Sequence, residues 1–501
     1  MAIAVAFSLM GAFFMVGLYV AGALGVLAML IMFVFSDAPL ANIMANRAWT
    51  TYTNFLLVAI PLFILMGELV LRSGFAARMY SALNGWVSPI PGGLLHTNIA
   101  SCAVFAACAG SSIATAATIS RVALPTFRAR GYNERMVVGS LAAGGTLGIL
   151  IPPSILLVLY GLTTGVSIGR LFLAGFIPGA ILAGSFMLMI GITSIVWPGM
   201  APKEPGPGYF SLVGWRDRIL GTLNMVPIFV LVFAVLGSIY GGWATPTEAA
   251  AWGVSGAALL AVIHNSEQLM KTIAFRFVEK SRIIHVLPGP MQENIMMDLR
   301  VNKINAVELK HMVEANITLL TEAFMSTVRT TAMIMLILLA AFTVQFAFAR
   351  LGISIEMAEW ITGLNLSAVE FVLILVVFYL VLGTFMESYS MMMTTLPILL
   401  PSLIATDVDR LWFGIIMIIL LEAAQISPPQ GLALYVLQGA RNDISSELSA
   451  AKGVNAESGT INDVYIGVMP FMLCMLVVIG IIIAFPQLAT WLPDQVKGPR
   501  L

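Results

Sequence analysis

Long stretches without a charged residue constrain this chain more than any other feature of its sequence. Runs at 1–36, 136–169, 171–202, 219–247, 330–349 and 464–493 contain no Asp, Glu, Lys or Arg. A helix needs only about 20 apolar residues to cross a bilayer. Of the 501 residues, 59% are hydrophobic and 10% are charged, against roughly 25% charged residues in soluble domains. Short alternating strands are not evident, so we predict an all-α polytopic membrane protein.

The charge balance and the cysteines exclude several other classes. With 25 basic and 25 acidic residues the net charge is zero, which argues against a nucleic-acid partner or a polybasic membrane-surface protein. The cysteines Cys102, Cys108 and Cys474 lie in apolar surroundings without C-x-x-C spacing, so we interpret them as small core residues. The first run lacks a basic leading segment and is expected to be a retained transmembrane helix.

The chain repeats its own organisation. Each half contains a helix, a short amphipathic stretch, an interrupted apolar segment and a helix broken by two prolines. Three landmarks recur at offsets of 278, 277 and 276 residues: Gly74 with Gly352, Ser111 with Ser388, and Pro152 with Pro428. A nearly constant register over such a distance predicts an internal structural repeat.

The repeat divides the chain into four predicted regions. The first repeat is 1–210, with an interrupted segment at 92–127 and a broken helix at 135–160; bridging helices occupy 211–264. A soluble connector with an amphipathic arm is expected at 265–317, and the second repeat is 318–501, with the corresponding features at 368–404 and 411–440. The loop after the first interrupted segment is rich in arginine, including Arg128, whereas its counterpart carries Asp407 and Asp409. This asymmetry predicts that the halves are inverted, with the first loop cytoplasmic.

The proline pairs occur in "GILIPPSIL" (148–156) and "AQISPPQGL" (424–432). Proline removes a backbone donor and breaks a helix, and an unsatisfied backbone group costs several kcal/mol in the hydrocarbon core. The interrupted segments place small and hydroxyl residues in mid-stretch, in "ACAGSSIATAATIS" (107–120) and "LGTFMESYSMMMTT" (382–395). Each segment is predicted to fold as a re-entrant hairpin with its tip near the middle of the membrane.

Paired hairpin tips and paired broken helices together form a predicted transport site. Free carbonyls and hydroxyls suit Na⁺, and the N-terminal ends of half-helices suit carboxylates. A single Pro-Pro is more often a simple kink, and Ser111 with Ser112 alone would more often mediate helix packing. Recurrence of the whole combination favours the site.

Further candidate residues follow from the same segments. No Arg or Lys falls within a hairpin tip or a proline motif, so hydroxyls are candidate substrate contacts, namely Ser154, Ser390 and Thr394. Glu387 and Glu422 are intramembrane acids, which are functional hypotheses by default, although a structural role remains open for both.

An enzyme is the main rival from another class. The four histidines form no H-E-x-x-H motif, and no motif places a base that could activate a serine nucleophile, so we expect no enzymatic activity. A channel, or a Na⁺-coupled transporter that works without a binding protein, remains the alternative.

The chain resembles a known family, the large membrane subunit (DctM-like) of tripartite ATP-independent periplasmic (TRAP) transporters. The segments that carry the resemblance are "AIPLFILMGELVLRSG" (59–74), "AGSSIATAATI", "GGTLGILIPPS", "ATPTEAAA", "PILLPSL" and "EAAQISPPQGLALYVLQG" (422–439). Together they extend over nearly the whole sequence.

This resemblance implies an inverted-repeat, elevator-type transporter in the bacterial inner membrane. It implies Na⁺ as the coupling ion without any other cofactor. The implied substrate is a small organic anion, such as a C4-dicarboxylate or sialic acid, delivered by a periplasmic (DctP-like) binding protein. A separate four-helix (DctQ-like) membrane subunit is the second implied partner.

The resemblance also implies two Na⁺ sites. The first would use Ser111 and Ser112 with carbonyls of Gly148, Ile151 and Pro153. The second would use Gly383 with Ala424, Ser427 and Gln430, where Ala424 and Ser427 replace the Gly and Thr of many family members.

Overall fold

The computed structural model describes residues 2–16, 18–36, 40–87, 89–202, 212–223, 225–266, 306–429, 431–452 and 459–496. Most of the predicted connector, 267–305, therefore lies outside the described residues. The part of the chain within those ranges is helical and contains no strand. The all-α prediction is confirmed.

The described α-helices are numbered in chain order. They are α1 Ala2–Met15, α2 Val20–Phe35, α3 Leu40–Tyr52, α4 Ala59–Arg72, α5 Phe75–Val87, α6 Leu94–Ala109, α7 Ser112–Ala129, α8 Glu134–Thr146, α9 Ile155–Thr164, α10 Ile168–Val196, α11 Leu212–Leu223, α12 Val226–Tyr240, α13 Pro246–Asn265, α14 Ala306–Arg350, α15 Ile353–Gly363, α16 Ala368–Leu382, α17 Ser388–Ala405, α18 Arg410–Ile426, α19 Leu432–Lys452, α20 Ile461–Ala484 and α21 Gln487–Gln495. Short 3₁₀ turns occur at Phe55–Val58, Leu147–Ile149 and Pro198–Met200.

Several of these helices are long and apolar enough to cross a bilayer. Among the described residues there are six such spans, or seven if α15 and α16, bent by 120°, count as one. The first apolar run differs from the prediction of one long helix, since α1 ends at Met15 and a separate helix, α2, begins at Val20. Gly17 lies in this stretch of sequence, and glycine disfavours a helix interior by about 1 kcal/mol.

The order of elements from α4 to α10 recurs from α14 to α20. In the first half α6 and α7 flank an interruption at 110–111, and in the second α16 and α17 flank one at 383–387. The proline pairs separate α8 from α9 and α18 from α19. Even the helix caps match: Asn133 accepts a hydrogen bond from the Met136 amide at 3.2 Å, and Asp409 accepts one from the Trp412 amide at 2.8 Å. The inverted orientation and the domain boundaries stay predictions.

Contacts between the halves unite the interrupted segments and broken helices in one core. Helix α7 packs against α8 and α19, and α18 packs against α8, α9 and α10. Both α16 and α17 pack against α18. The long helix α14 packs against α2, α4 and α17. The hairpin tips and proline breaks of both halves therefore lie inside a single packed body.

A charged cluster joins the halves at one end of this body. Arg441 on α19 has a side chain that is 1% exposed and forms an ion pair with Glu134 on α8. Glu134 also lies 3.5 Å from Arg128, which donates a 2.7 Å hydrogen bond to Ser445. Since a buried charge is costly without a partner, the cluster fixes α19 relative to α7 and α8.

Candidate functional site

The first hairpin tip is formed by Gly110 and Ser111 between α6 and α7. Gly110 ends α6 with a left-handed backbone, φ +58°, which glycine adopts without steric cost. Ser111 is the N-cap of α7, and its Oγ accepts a 3.5 Å hydrogen bond from the Ala114 amide. The sequence "AGSS" therefore both stops one helix and starts the next.

The first broken helix lies directly against this tip. A Cβ on Gly148 would be 2.9 Å from the Ser111 carbonyl oxygen, and a Cβ on Gly110 would be 3.1 Å from the Pro153 oxygen. Both positions need glycine because backbone meets backbone. The structure thus brings together Ser111, Gly148 and Pro153 of the predicted first Na⁺ site. The Ile151 amide donates a 3.1 Å hydrogen bond to Leu147.

The second hairpin tip has a different cap. Glu387 precedes α17, and its carboxylate accepts hydrogen bonds from the amides of Tyr389 at 3.1 Å and Ser390 at 3.3 Å. Ser388 Oγ donates a 2.9 Å hydrogen bond to the Leu421 carbonyl, which ties the tip to α18.

The predicted second Na⁺ site is brought together only in part. A Cβ on Gly383 would lie 2.5 Å from Ala424 Cβ, so these two residues are in close contact. Ser427 ends α18, and its carbonyl accepts a 2.9 Å hydrogen bond from the Gly431 amide. Gln430 lies outside the described residues. Both Pro-Pro bonds, 152–153 and 428–429, are cis.

A cavity of about 1090 Å³ lies between the two tips and a wall formed by α2, α4 and α14. Its polar and charged lining residues include Ser111, Ser390, Gln425, Glu68 and Glu387. Among the described residues that line it, none is Lys, Arg or His. An anion in this cavity would therefore depend on helix N-termini, neutral donors and accompanying cations.

Glu68 belongs to a second charged group at the edge of this cavity. It lies 3.1 Å from Arg72, one helical turn further on, and accepts a 2.8 Å hydrogen bond from Ser326 on α14. Arg72 also contacts Glu322 at 2.5 Å. Glu68 and Arg72 pair within α4, and their contacts with Ser326 and Glu322 link α4 to α14.

Of the predicted substrate hydroxyls, only Ser390 lines the cavity. Ser154 is buried at the start of α9 and donates to the Ile149 carbonyl. Thr394 lines a separate apolar pocket of about 330 Å³. Of the two acids, Glu387 faces the cavity, whereas Glu422 is fully buried in α18.

Sequence reasoning missed Gln425. This residue lines the cavity, and its Oε1 accepts a hydrogen bond from Ser112 Oγ of the first hairpin. The available signal was a polar side chain three residues before the second proline pair, inside an apolar helix.

Comparison with known proteins agrees with this architecture. The family model described as "Tripartite ATP-independent periplasmic transporter, DctM component" matches residues 7–289 and 294–488. The chain belongs to this family. It is therefore a multi-pass membrane protein of the TRAP large-permease type, which confirms the resemblance carried by the sequence motifs.

Curated relatives of the family are permeases rather than enzymes. One is the C4-dicarboxylate TRAP transporter large permease protein DctM of Vibrio cholerae, 29% identical over 100% of this chain and 99% of the relative. Another is the isethionate TRAP transporter permease protein DctMQ of Oleidesulfovibrio alaskensis, 28% identical over 89% of this chain and 61% of the relative.

The fold is also similar to a solved structure. The crystal structure of the YdaH transporter of Alcanivorax borkumensis matches with a TM-score of 0.56 and 15% identity, over 92% of this chain and 91% of that one. At this identity the likeness concerns the fold alone.

Proposed function

We propose that this chain is the translocating subunit of a Na⁺-coupled importer for a small organic anion in the bacterial inner membrane. The observation that carries the proposal is the cavity between the two hairpin tips, which both halves of the chain line. Its described lining contains Glu68 and Glu387 but no basic side chain. An anion entering alone would meet an environment with no compensating cation.

Na⁺ supplies that compensation in the proposed mechanism. Free carbonyls and hydroxyls at breaks in membrane helices are suited to Na⁺, and helix N-termini are suited to carboxylates. Ser111 and Ser112 contribute hydroxyls beside the carbonyls of the first broken helix, and Gly383 and Ala424 occupy the corresponding place in the second half. Binding of the ion then precedes or accompanies binding of the anion, and this linkage couples the two fluxes.

Two partners complete the proposed system. A periplasmic binding protein delivers the substrate, and a small membrane subunit accompanies the large one. Membership of the TRAP family supports both partners. The match covers only 61% of the isethionate relative DctMQ, so that relative carries additional sequence in the same polypeptide. The proposed movement is an elevator motion of the packed body against α2, α4 and α14.

Uptake into proteoliposomes tests the proposal. Purified protein, reconstituted with its small subunit and supplied with the binding protein, is expected to accumulate a labelled C4-dicarboxylate or a related anion only with an inward Na⁺ gradient. Undiminished uptake after replacement of Na⁺ by K⁺ at constant pH would contradict Na⁺ coupling. Uptake without the binding protein would favour a channel or a transporter that works alone.

A further inference from the structure

Gln425 connects the two halves of the chain at the cavity. It lies in the last turn of α18, is 4% exposed, and lines the cavity. Its Oε1 accepts the hydrogen bond from Ser112 Oγ, across 313 positions of sequence. This single side chain therefore joins the first hairpin tip to the second broken helix.

The hydrogen bond fixes what the Ser112 hydroxyl can offer to a ligand. A serine hydroxyl has one hydrogen to donate and two lone pairs that accept. When the hydroxyl donates its hydrogen to the Gln425 amide oxygen, its lone pairs remain available, and no described group donates to this oxygen. Gln425 thus holds Ser112 as an acceptor, which is the orientation that an oxygen ligand of a cation requires.

The other end of the Gln425 side chain is unpaired. Its amide nitrogen has no hydrogen-bond partner among the described residues, although the residue is almost completely buried and faces the cavity. An amide nitrogen carries two donors, and these face the cavity rather than the packed interior. A ligand oxygen in the cavity would satisfy it.

The two helix N-termini at the cavity differ in a way that locates this ligand. The N-terminus of α17 already interacts with a carboxylate, that of Glu387. The N-terminus of α7 is capped by the neutral side chain of Ser111. Since helix N-termini favour anions, an added carboxylate is better accommodated at α7, on the same side as Ser112 and its partner Gln425.

We propose that Gln425 is a specificity-determining residue with two simultaneous contacts. Its amide nitrogen donates to a carboxylate of the substrate at the N-terminus of α7, while its amide oxygen orients Ser112 toward the coupling ion. This inference rests on the proposed function and assigns to one residue the linkage between anion and ion.

Two substitutions separate the contacts. Gln425→Glu keeps an oxygen for Ser112 but replaces the donor with a negative charge, so the half-saturating substrate concentration is expected to rise at least about tenfold, with Na⁺ binding retained. Gln425→Met keeps the approximate size and loses both contacts, so substrate and Na⁺ binding are both expected to weaken. Gln438→Met is the matched control, because Gln438 does not line the cavity. Its contacts are with Asn442, the Gly459 carbonyl and Arg441, so this variant is expected to lower thermal stability and to leave substrate and Na⁺ binding unchanged.

The measurements are labelled succinate uptake by the reconstituted system and ²²Na⁺ binding to the purified large subunit. Similar effects of Gln425→Glu and Gln425→Met on both readouts, or parental values for both variants, would overturn the proposal. Unchanged ²²Na⁺ binding in Gln425→Met would overturn the ion contact, whatever the transported anion. If the parental protein shows no Na⁺-dependent anion uptake, the proposed function fails, and the ²²Na⁺ comparison still decides whether Gln425 supports an ion site.

Discussion

Gly148→Ala tests whether the close approach between the first hairpin tip and the first broken helix forms the ion site. The new Cβ would lie 2.9 Å from the Ser111 carbonyl oxygen, whereas ordinary van der Waals contact begins at 3.4 Å. The difference of these values, 0.5 Å, is the distance by which two backbone segments must separate. Overpacking of this kind costs about 1–3 kcal/mol.

The expected effect on ion binding depends on whether the overpacking destabilises the ion-bound protein more than the ion-free protein. In the ion-free protein the tip can move away and relax, but the ion requires Ser111 and the Gly148 carbonyl to be close together. If the full overpacking cost of about 1–3 kcal/mol weakens Na⁺ binding, the Na⁺ concentration for half-maximal uptake rises by about 5- to 150-fold. Substrate uptake at saturating Na⁺ is expected to recover.

Gly184→Ala provides the matched control. Gly184 lies within α10, and a Cβ there would meet nothing within 4 Å. Alanine is the better helix former by about 1 kcal/mol, so this variant is expected to keep the parental Na⁺ dependence with equal or higher thermal stability in detergent. A Gly148→Ala protein with parental Na⁺ dependence and an unchanged melting temperature would refute the proposed geometry.

Three further predictions concern the hairpin, the topology and the charged cluster. Ser111→Ala and Ser112→Ala each remove one hydroxyl at nearly constant volume, so a ligand role predicts that Na⁺ binding weakens by about 1–3 kcal/mol. The readout is the Na⁺ concentration for half-maximal uptake, measured after membrane expression has been checked. If both variants keep the parental value, only backbone carbonyls remain as ligands. In a background without native cysteines, a cysteine at Arg128 should be labelled from the cytoplasm and one at Asp409 from the periplasm, and labelling of both from one side would contradict the inverted halves. Glu134→Gln should destabilise the protein because it removes the carboxylate that pairs with the buried Arg441 charge, but by less than the roughly 3–5 kcal/mol of a fully buried pair, since Glu134 is 44% exposed and Arg441 also donates to the Thr460 carbonyl. Arg441→Met should cost less, because the remaining Glu134 carboxylate is partly solvated; equal melting temperatures of the two variants would contradict this.

Local sequence signals located the breaks in this fold well. Proline pairs, glycines and serines act through backbone geometry within a few residues, so the interruptions at 110–111 and around Pro152 and Pro428 could be predicted from the sequence. The division of the first apolar run into α1 and α2 was not foreseen, because that run is apolar throughout and its only local signals are glycines.

The orientation of individual side chains was less predictable. A helix that is apolar all round gives no amphipathic signal for the face that borders a cavity. Ser390 and Thr394 are one turn apart on α17, yet only Ser390 lines the large cavity. Gln425 was missed for a related reason, since its partner Ser112 lies in the other half and only the tertiary fold brings them together.

The helix α14 is longer than the hydrocarbon core of a bilayer is thick. Its 45 residues correspond to about 68 Å at 1.5 Å per residue, and the hydrocarbon core is about 30 Å thick. If all 45 residues of α14 lay within that core, the helix would have to tilt by about 64° from the bilayer normal. Transmembrane helices usually tilt by no more than about 40°. The charge-free section 330–349 alone matches the core, so the preceding turns extend beyond it. Depth probes placed at successive positions along this one helix would measure where the membrane surface lies on the protein.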